Sequence, residues 1–294
     1  MNDANTVSLV LGSGGARGLA HIGVIRCLEE QGFEIASIAG ASMGALVGGI
    51  YATGRLETYA RWVTALEKMD VLRLLDPSFS RNSLFKGERI ISVLKDLIGD
   101  HNIEDLPVSF TAVATDLDRG KEVWLNHGSL FDAVRASIAI PTVFAPYRHE
   151  GRRLVDGGLV NPIPIAPTLR DATDLTIAVN LSAKERPAPE HKPDSAPDTG
   201  DADDYRTRIR QFVEELQTRW GQQETDELGL FDVISKTMDT MQNTIARLKL
   251  AAYSPDIIID IPRNSCTFYE FHRGRELIEI GYRNAAQALR DLHR

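Results

Sequence analysis

The chain has 294 residues, 43% of them hydrophobic, which is enough to build one large buried core or two small ones. Its formal net charge is −8 and it has no cluster of lysine and arginine, so a nucleic-acid partner, which needs a basic face, is excluded. The two cysteines lie far apart in the sequence, no charged segment leads into an apolar signal, and the longest apolar stretches fall short of the roughly 18 residues that span a membrane. We therefore expect a cytoplasmic protein whose membrane contact, if any, is peripheral at the inner membrane.

Strands and helices are predicted to alternate through the first half of the chain. A strand at 7–11 leads through a glycine loop into a helix at 19–31, and a strand at 35–39 leads through a second glycine turn into a helix that ends near Gly54. The alternation continues with helices at 56–66, 88–98 and 129–138, and with strands at 108–115, 122–125, 144–149, 152–155 and 175–181. This order predicts an α/β fold with a mostly parallel sheet.

The composition changes sharply after residue 184. Residues 184–206 contain four prolines and many acidic residues but no apolar pattern, which predicts a flexible surface insert. Apolar residues at helical spacing then predict amphipathic helices at 207–220 and 230–250, followed by a buried strand at 256–262 and a closing helix at 274–292. We expect 207–294 to complete the same domain as the core at 7–170.

The turn Gly40-Ala41-Ser42-Met43-Gly44 lies between a predicted strand and a predicted helix. This pattern is typical of a nucleophile elbow, in which Gly40 and Gly44 allow a sharp turn that presents the serine hydroxyl. The start of the helix also carries the equivalent of about half a positive charge, which favours a negatively charged intermediate. A packing turn in which Ser42 merely caps the helix is the alternative interpretation.

A second glycine turn, from Gly12 to Gly18, also joins a strand to a helix. A dinucleotide-binding loop would need glycine at Arg17, and a nucleotide-phosphate loop would need Gly-Lys-Ser or Gly-Lys-Thr at its end, so neither pattern fits. The remaining interpretation is an oxyanion hole, in which the amides of Gly14 and Gly15 donate to the developing negative charge. For Arg17, two kinds of role are equally open: it could add positive charge or hold a substrate phosphate, or it could be a solvated first-turn arginine or a partner in a core ion pair.

A nucleophilic serine needs a base, and the best candidate is Asp156. It follows a predicted strand and precedes Gly157-Gly158, which leaves its carboxylate open at the end of the sheet. The alternative for Asp156 is a simple Asx turn, and Asp116 is a similar but weaker candidate. Among the histidines, only His272 and His21 are reasonable alternatives as the base.

Three motifs in order, Gly14-Gly15-Ala16-Arg17-Gly18, Gly40-Ala41-Ser42-Met43-Gly44 and Asp156-Gly157-Gly158, resemble those of the patatin-like phospholipases. The resemblance covers about 7–170 and looks most like the small bacterial intracellular members. It implies a three-layer α/β/α fold, a Ser42/Asp156 dyad, an oxyanion loop at Gly14, Gly15, Ala16 and Arg17, and no metal or cofactor. One position departs from the family pattern, because Ser13 stands where glycine is usual.

The resulting expectation is a serine hydrolase acting on lipid or fatty-acyl esters, as a phospholipase A, lysophospholipase or carboxylester hydrolase. Two alternatives stay open: a histidine-assisted esterase or acyltransferase, and a regulatory protein that keeps the fold without the chemistry. Apolar side chains of the two amphipathic helices are candidates for an acyl groove, with core packing as the alternative: Phe212, Trp220, Phe231, Met238 and Met241.

Overall fold

The computed structural model describes residues 5–74, 76, 83–185 and 230–292. The described residues of Met1–Arg186 and Met238–Arg294 form one compact unit. The rest of the chain, Pro187–Thr237, is a separate unit, of which the structure describes only the helical residues 230–237. The predicted insert and the predicted helix at 207–220, with Phe212 and Trp220, lie outside the described residues, so the predicted domain limits stay predictions.

The strands of the described residues form one large mixed sheet and one two-stranded sheet. In chain order they are β1 (Thr6–Leu11), β2 (Glu34–Ala41), β3 (Ser83–Phe85), β4 (Ser109–Asp116), β5 (Lys121–Leu125), β6 (Thr142–Phe144), β7 (Tyr147–His149), β8 (Arg152–Asp156), β9 (Leu175–Ala183) and β10 (Ile257–Pro262). The large sheet has the order β10-β9-β1-β2-β4-β8-β7, with β5 also paired to β4, and β3 pairs with β6. The strands from β10 to β4 run parallel, whereas β5, β7 and β8 pair antiparallel with their neighbours.

The helices in the described residues are α1 (Ala20–Glu30), α2 (Met43–Ala52), α3 (Leu56–Thr64), α4 (Lys68–Arg73), α5 (Glu88–Ile98), α6 (Leu130–Ser137), α7 (Leu230–Tyr253) and α8 (Gly274–Leu292). None of them is long and apolar enough to cross a bilayer. The predicted helix at 230–250 corresponds to α7, which extends to Tyr253.

Side chains alternate between the two faces of the sheet, which creates two apolar layers. On β1, Leu9 and Leu11 are fully buried in the larger layer, which α1, α2 and α8 help to form. Val10 points to the other face and packs with Ile163 and with Ala246 of α7. Helices thus flank the sheet on both sides, and the predicted three-layer α/β/α fold with a mostly parallel sheet is confirmed.

The register of the sheet brings the two glycine turns together. Leu11 at the end of β1 pairs with Gly40 of β2, so the loop after β1 and the elbow after β2 begin side by side. On the other side of β2, Ala41 pairs with Val113 of β4, and the next residue of β4, Ala114, pairs with Asp156. The ends of β1, β2 and β8 therefore meet at one edge of the sheet.

Candidate active site

Ser42 occupies a strained turn between β2 and α2. Its φ of 55° and ψ of −122° lie in a region that residues with a side chain rarely adopt, and the residue is 1% exposed. The flanking glycines are required by close packing: a Cβ on Gly40 would lie 2.4 Å from the carbonyl carbon of Gly44, and one on Gly44 would lie 2.0 Å from the Leu11 carbonyl oxygen. The backbone thus has the geometry that is typical of a nucleophile elbow.

Ser137, at the end of α6, holds this turn in place. Its hydroxyl accepts a hydrogen bond from the Ser42 N–H at 2.9 Å and donates one to the Val113 carbonyl at 2.6 Å. Ser137 is fully buried, so it supplies the Ser42 N–H with a hydrogen-bond acceptor away from water. No role for Ser137 could be predicted from the sequence, because a single serine near a helix end carries no distinguishing pattern.

Asp156 lies at the end of β8, one strand beyond β4. Its N–H donates to the Ala139 carbonyl at 2.9 Å, and its carbonyl accepts from the Thr115 hydroxyl at 2.9 Å. The Oδ1 atom accepts from the Gly158 N–H at 2.7 Å, which is the Asx turn of the alternative interpretation. The Oδ2 atom makes no hydrogen bond of normal geometry to the described residues and is therefore open to a further partner.

Burial determines the proton affinity of this carboxyl. Asp156 is 1% exposed, and loss of water raises its pKa from the usual 3.8 to about 6, although the nearby Ser42 hydroxyl and the Gly158 N–H act in the opposite direction. The Ser42 hydroxyl is thus close enough to interact with the carboxylate. A carboxylate with this pKa is a better proton acceptor than an ordinary aspartate and is still ionised at pH 7.

Gly14 and Gly15 lie in the loop after β1 and have unused backbone donors. The neighbouring Ser13 N–H donates to the Pro162 carbonyl at 2.8 Å, whereas the N–H groups of Gly14 and Gly15 have no acceptor among the described residues. The loop approaches the Asp156 turn closely, since a Cβ on Gly158 would lie 2.5 Å from Ser13 Oγ and 2.9 Å from Asp156 Oδ1. Gly18 contacts the elbow itself, because its Cβ would lie 2.3 Å from Met43 Cβ.

The other two residues predicted for the oxyanion hole are engaged elsewhere. The Ala16 N–H donates to the Phe268 carbonyl at 2.9 Å, so it is not free to bind an oxyanion. Arg17 is 5% exposed, and its guanidinium donates to the Gly14 carbonyl at 3.1 Å, to the Arg263 carbonyl at 3.1 Å and to Asp239 at 3.3 Å. Arg17 therefore links the loop to Arg263 and to Asp239. The pair with Asp239 is the kind of structural ion pair that was one of the alternatives for Arg17.

Neither alternative histidine bonds to Ser42 in the described part of the chain. His21 is fully buried, its Nε2 lies 2.9 Å from the Gly12 carbonyl oxygen, and burial lowers its pKa to about 4. His272 lies in a short 3-10 helix, Phe271–Arg273, where partial burial and then the charge of Lys68 lower its pKa. Asp116 is occupied by its own turn, since its carboxylate accepts from the backbone of Asp118 and from Arg119.

The candidate acyl-groove residues are only partly described. Met238 is half-buried and Met241 is 52% exposed on α7, whereas the side chain of Phe231 lies outside the described residues. An acyl groove at these residues therefore stays a prediction.

Comparisons with known proteins agree with the motifs. A family model described as patatin-like phospholipase matches residues 9–169. An NTE family protein of Mycobacterium tuberculosis, itself described as uncharacterised, is 40% identical over 327 aligned residues, which cover 96% of this chain and 91% of the relative. A patatin-like phospholipase domain-containing protein of Caenorhabditis elegans and the neuropathy target esterase sws of Drosophila persimilis are each 35% identical over 167 residues, covering 54% of this chain and 12% of the relative. The chain therefore belongs to the patatin-like phospholipase family.

Proposed function

We propose that the chain is a serine hydrolase of lipid acyl esters in which Ser42 is the nucleophile and Asp156 is the base. The observation that carries the proposal is the pairing of a serine at positive φ with a buried aspartate whose pKa is raised to about 6. Each feature alone has a structural explanation, but together they supply a nucleophile on a sharp turn and a proton acceptor suited to neutral pH.

In the first half of the reaction, Ser42 Oγ attacks the ester carbonyl carbon while Asp156 takes the hydroxyl proton. The carbonyl oxygen becomes negative and accepts hydrogen bonds from the Gly14 and Gly15 N–H groups, each donor contributing on the order of 100- to 1000-fold in rate. Asp156 then returns the proton to the leaving alcohol as the carbon–oxygen bond breaks. The product of this half is an acyl ester on Ser42.

In the second half, water replaces the alcohol. Asp156 takes a proton from the water as it attacks the acyl carbonyl carbon, and the same two amides stabilise the oxyanion. Collapse releases the fatty acid and returns the proton to Ser42. This scheme uses one carboxylate twice and needs no metal, so we expect full activity in EDTA and no requirement for calcium.

Lipid esters are the proposed substrates: glycerophospholipid or lysophospholipid acyl groups and medium-chain carboxylic esters. The family description and the esterase name of the Drosophila relative support this class. Such substrates reside in or near membranes, so we propose that any membrane contact of this chain is peripheral.

Replacing the base tests the proposed dyad. We expect Asp156→Asn to lower kcat for a short p-nitrophenyl ester by about 100- to 10,000-fold, the usual contribution of general base catalysis. Asp116→Asn is the matched control, because Asp116 is 2% exposed and ends the adjacent strand β4. This control and His272→Ala are expected to keep most of the activity. If His272→Ala lost the activity and Asp156→Asn kept it, a histidine would be the base.

A further inference from the structure

A cavity of about 410 Å³ is lined mostly by residues with polar or charged side chains. Its walls come from the end of β9, from the residue that follows β10 and from one face of α7. Because β9 and β10 run parallel to β1 and β2, their ends lie at the same edge of the sheet as Ser42. The cavity therefore lies at the same edge of the sheet as the candidate active site.

The charge of this cavity is opposite to that of the whole chain. Among the described residues, its lining contains Lys184, Arg247 and Arg263 but only one acidic residue, Glu185, in a chain of net charge −8. The Arg263 Nε pairs with Glu185 at 2.9 Å. Within the described ranges, Lys184 and Arg247 have no acidic partner, so two positive charges remain available to a ligand.

The oxyanion loop and the cavity wall are joined by Arg17. Its guanidinium donates both to the Gly14 carbonyl and to the carbonyl of Arg263 in the cavity wall. The same group pairs with Asp239 on α7, one turn before the wall residue Asn243. On the other side, Leu181 packs against Gly14, and the residue that follows it, Ser182, lines the cavity.

We propose that this cavity binds the phosphate of the headgroup of a lipid whose acyl ester lies at Ser42. The inference rests on the proposed function, because it assigns the polar end of the same substrate. A guanidinium offers a planar pair of donors that matches phosphate oxygens, and an ammonium adds a second positive charge. The hydroxyl of Thr244 and the amide of Asn243 on the same wall supply uncharged hydrogen-bonding groups.

Two substrates that differ only in the phosphate test the assignment: the lysophospholipid octanoyl lysophosphatidic acid and monooctanoylglycerol, both below their micelle concentrations. We expect Arg247→Ala to raise KM for the lysophospholipid about tenfold, as for the loss of one charged hydrogen bond, with kcat within about twofold. Hydrolysis of monooctanoylglycerol is expected to stay unchanged, which also shows that the variant is folded. Lys184→Ala is expected to act in the same direction.

Arg283→Ala is the matched control, because Arg283 is an exposed arginine of α8, away from the cavity lining, that pairs with Glu279. It is expected to leave both substrates unaffected. If both Arg247→Ala and Lys184→Ala keep the wild-type preference for the lysophospholipid, the inference is overturned while the proposed function stands. If the wild type hydrolyses neither ester and Ser42 is not acylated, the proposed function itself fails.

Inorganic phosphate distinguishes a headgroup site from a site for free phosphate. For a headgroup site, glycerol 3-phosphate is expected to compete with the lysophospholipid in the wild type but not in Arg247→Ala, and inorganic phosphate is expected to leave monooctanoylglycerol hydrolysis unchanged. A different outcome would contradict the inference and assign the cavity to a free anion. In that outcome, inorganic phosphate changes monooctanoylglycerol hydrolysis in the wild type but not in Arg247→Ala, and the wild type does not prefer the lysophospholipid.

Discussion

Asp156 carries an energetic cost at neutral pH that follows from its burial. Its pKa is about 6 in the folded chain and about 3.9 in an unfolded one, so the folded state binds the proton more tightly between these values. The contribution of Asp156 to stability is therefore greatest below about pH 4 and is lost as the pH rises through 6. The difference between the folded and unfolded pKa values corresponds to about 3 kcal/mol in the free energy of unfolding.

Removing the ionisable group is expected to reverse this cost. Asp156→Asn keeps the oxygen that accepts from Gly158, so above pH 7 it should raise the free energy of unfolding by up to about 3 kcal/mol while activity is lost. Urea unfolding at pH 8 and pH 4 measures the effect, and we expect the gain to vanish at pH 4. A variant less stable than wild type at pH 8 would contradict the view that the carboxylate is buried without a compensating partner.

In the wild type, the same pKa of Asp156 predicts that kcat/KM falls as the pH drops below 6.

At the scale of elements, α6 connects β4 to the turn of Ser42, the proposed nucleophile, through Ser137. Removing this hydroxyl takes away the acceptor of the buried Ser42 N–H, which costs about 1–3 kcal/mol for such a group. The loss also frees the turn that orients the nucleophile, and small displacements of reacting groups are costly in rate.

Two serines at opposite ends of α6 make a matched test. We expect Ser137→Ala to reduce kcat about 10- to 100-fold, measured well below the melting temperature of the variant. Ser129 caps the start of the same helix by accepting from the Asp132 N–H at 3.3 Å. Ser129→Ala should cost about 1 kcal/mol of stability and leave kcat unchanged. Equal effects of the two variants on kcat would mean that Ser137 acts only through stability.

At the level of the whole molecule, the first and last described helices, α1 and α8, pack closely against each other. α1 and α8 cross at two glycines: a Cβ on Gly23 would lie 1.9 Å from the Ile278 carbonyl oxygen, and one on Gly281 would lie 1.9 Å from the Ala20 carbonyl oxygen. This contact holds α8 against α1, the helix that follows the proposed oxyanion loop. The C-terminal segment 238–292 is thus part of the unit that contains the candidate active site.

Gly281→Ala separates packing from helix propensity. In an exposed helix, alanine in place of glycine would stabilise by about 1 kcal/mol. Here we expect the opposite sign, a loss of about 1–3 kcal/mol from overpacking, in equilibrium urea unfolding. Glu279→Ala, two residues earlier on the exposed side, should be nearly neutral. A more stable Gly281→Ala variant would show that the two helices do not pack closely.

Local patterns were sufficient to predict much of this arrangement. The alternation of strands and helices predicted the α/β fold. The glycines around Ser42 and after Asp156 predicted turns, because a close approach of the backbone requires glycine, which is visible at single positions of the sequence. Long-range partners leave no such trace. The bond from Ser42 to Ser137, the use of the Ala16 amide by Phe268 and the bracing of Arg17 by Asp239 join residues 95 to 252 positions apart, so they required the structure.

Covalent labelling with a fluorophosphonate tests whether Ser42 is the nucleophile, because this probe reacts with an activated serine hydroxyl and requires no knowledge of the lipid. Intact mass spectrometry is expected to show one adduct per chain in the wild type, located at Ser42, and none in Ser42→Ala. The Asp116→Asn control should label like the wild type. Labelling that persists in Ser42→Ala, or a folded wild type that does not react, would contradict the assignment of Ser42 as the nucleophile.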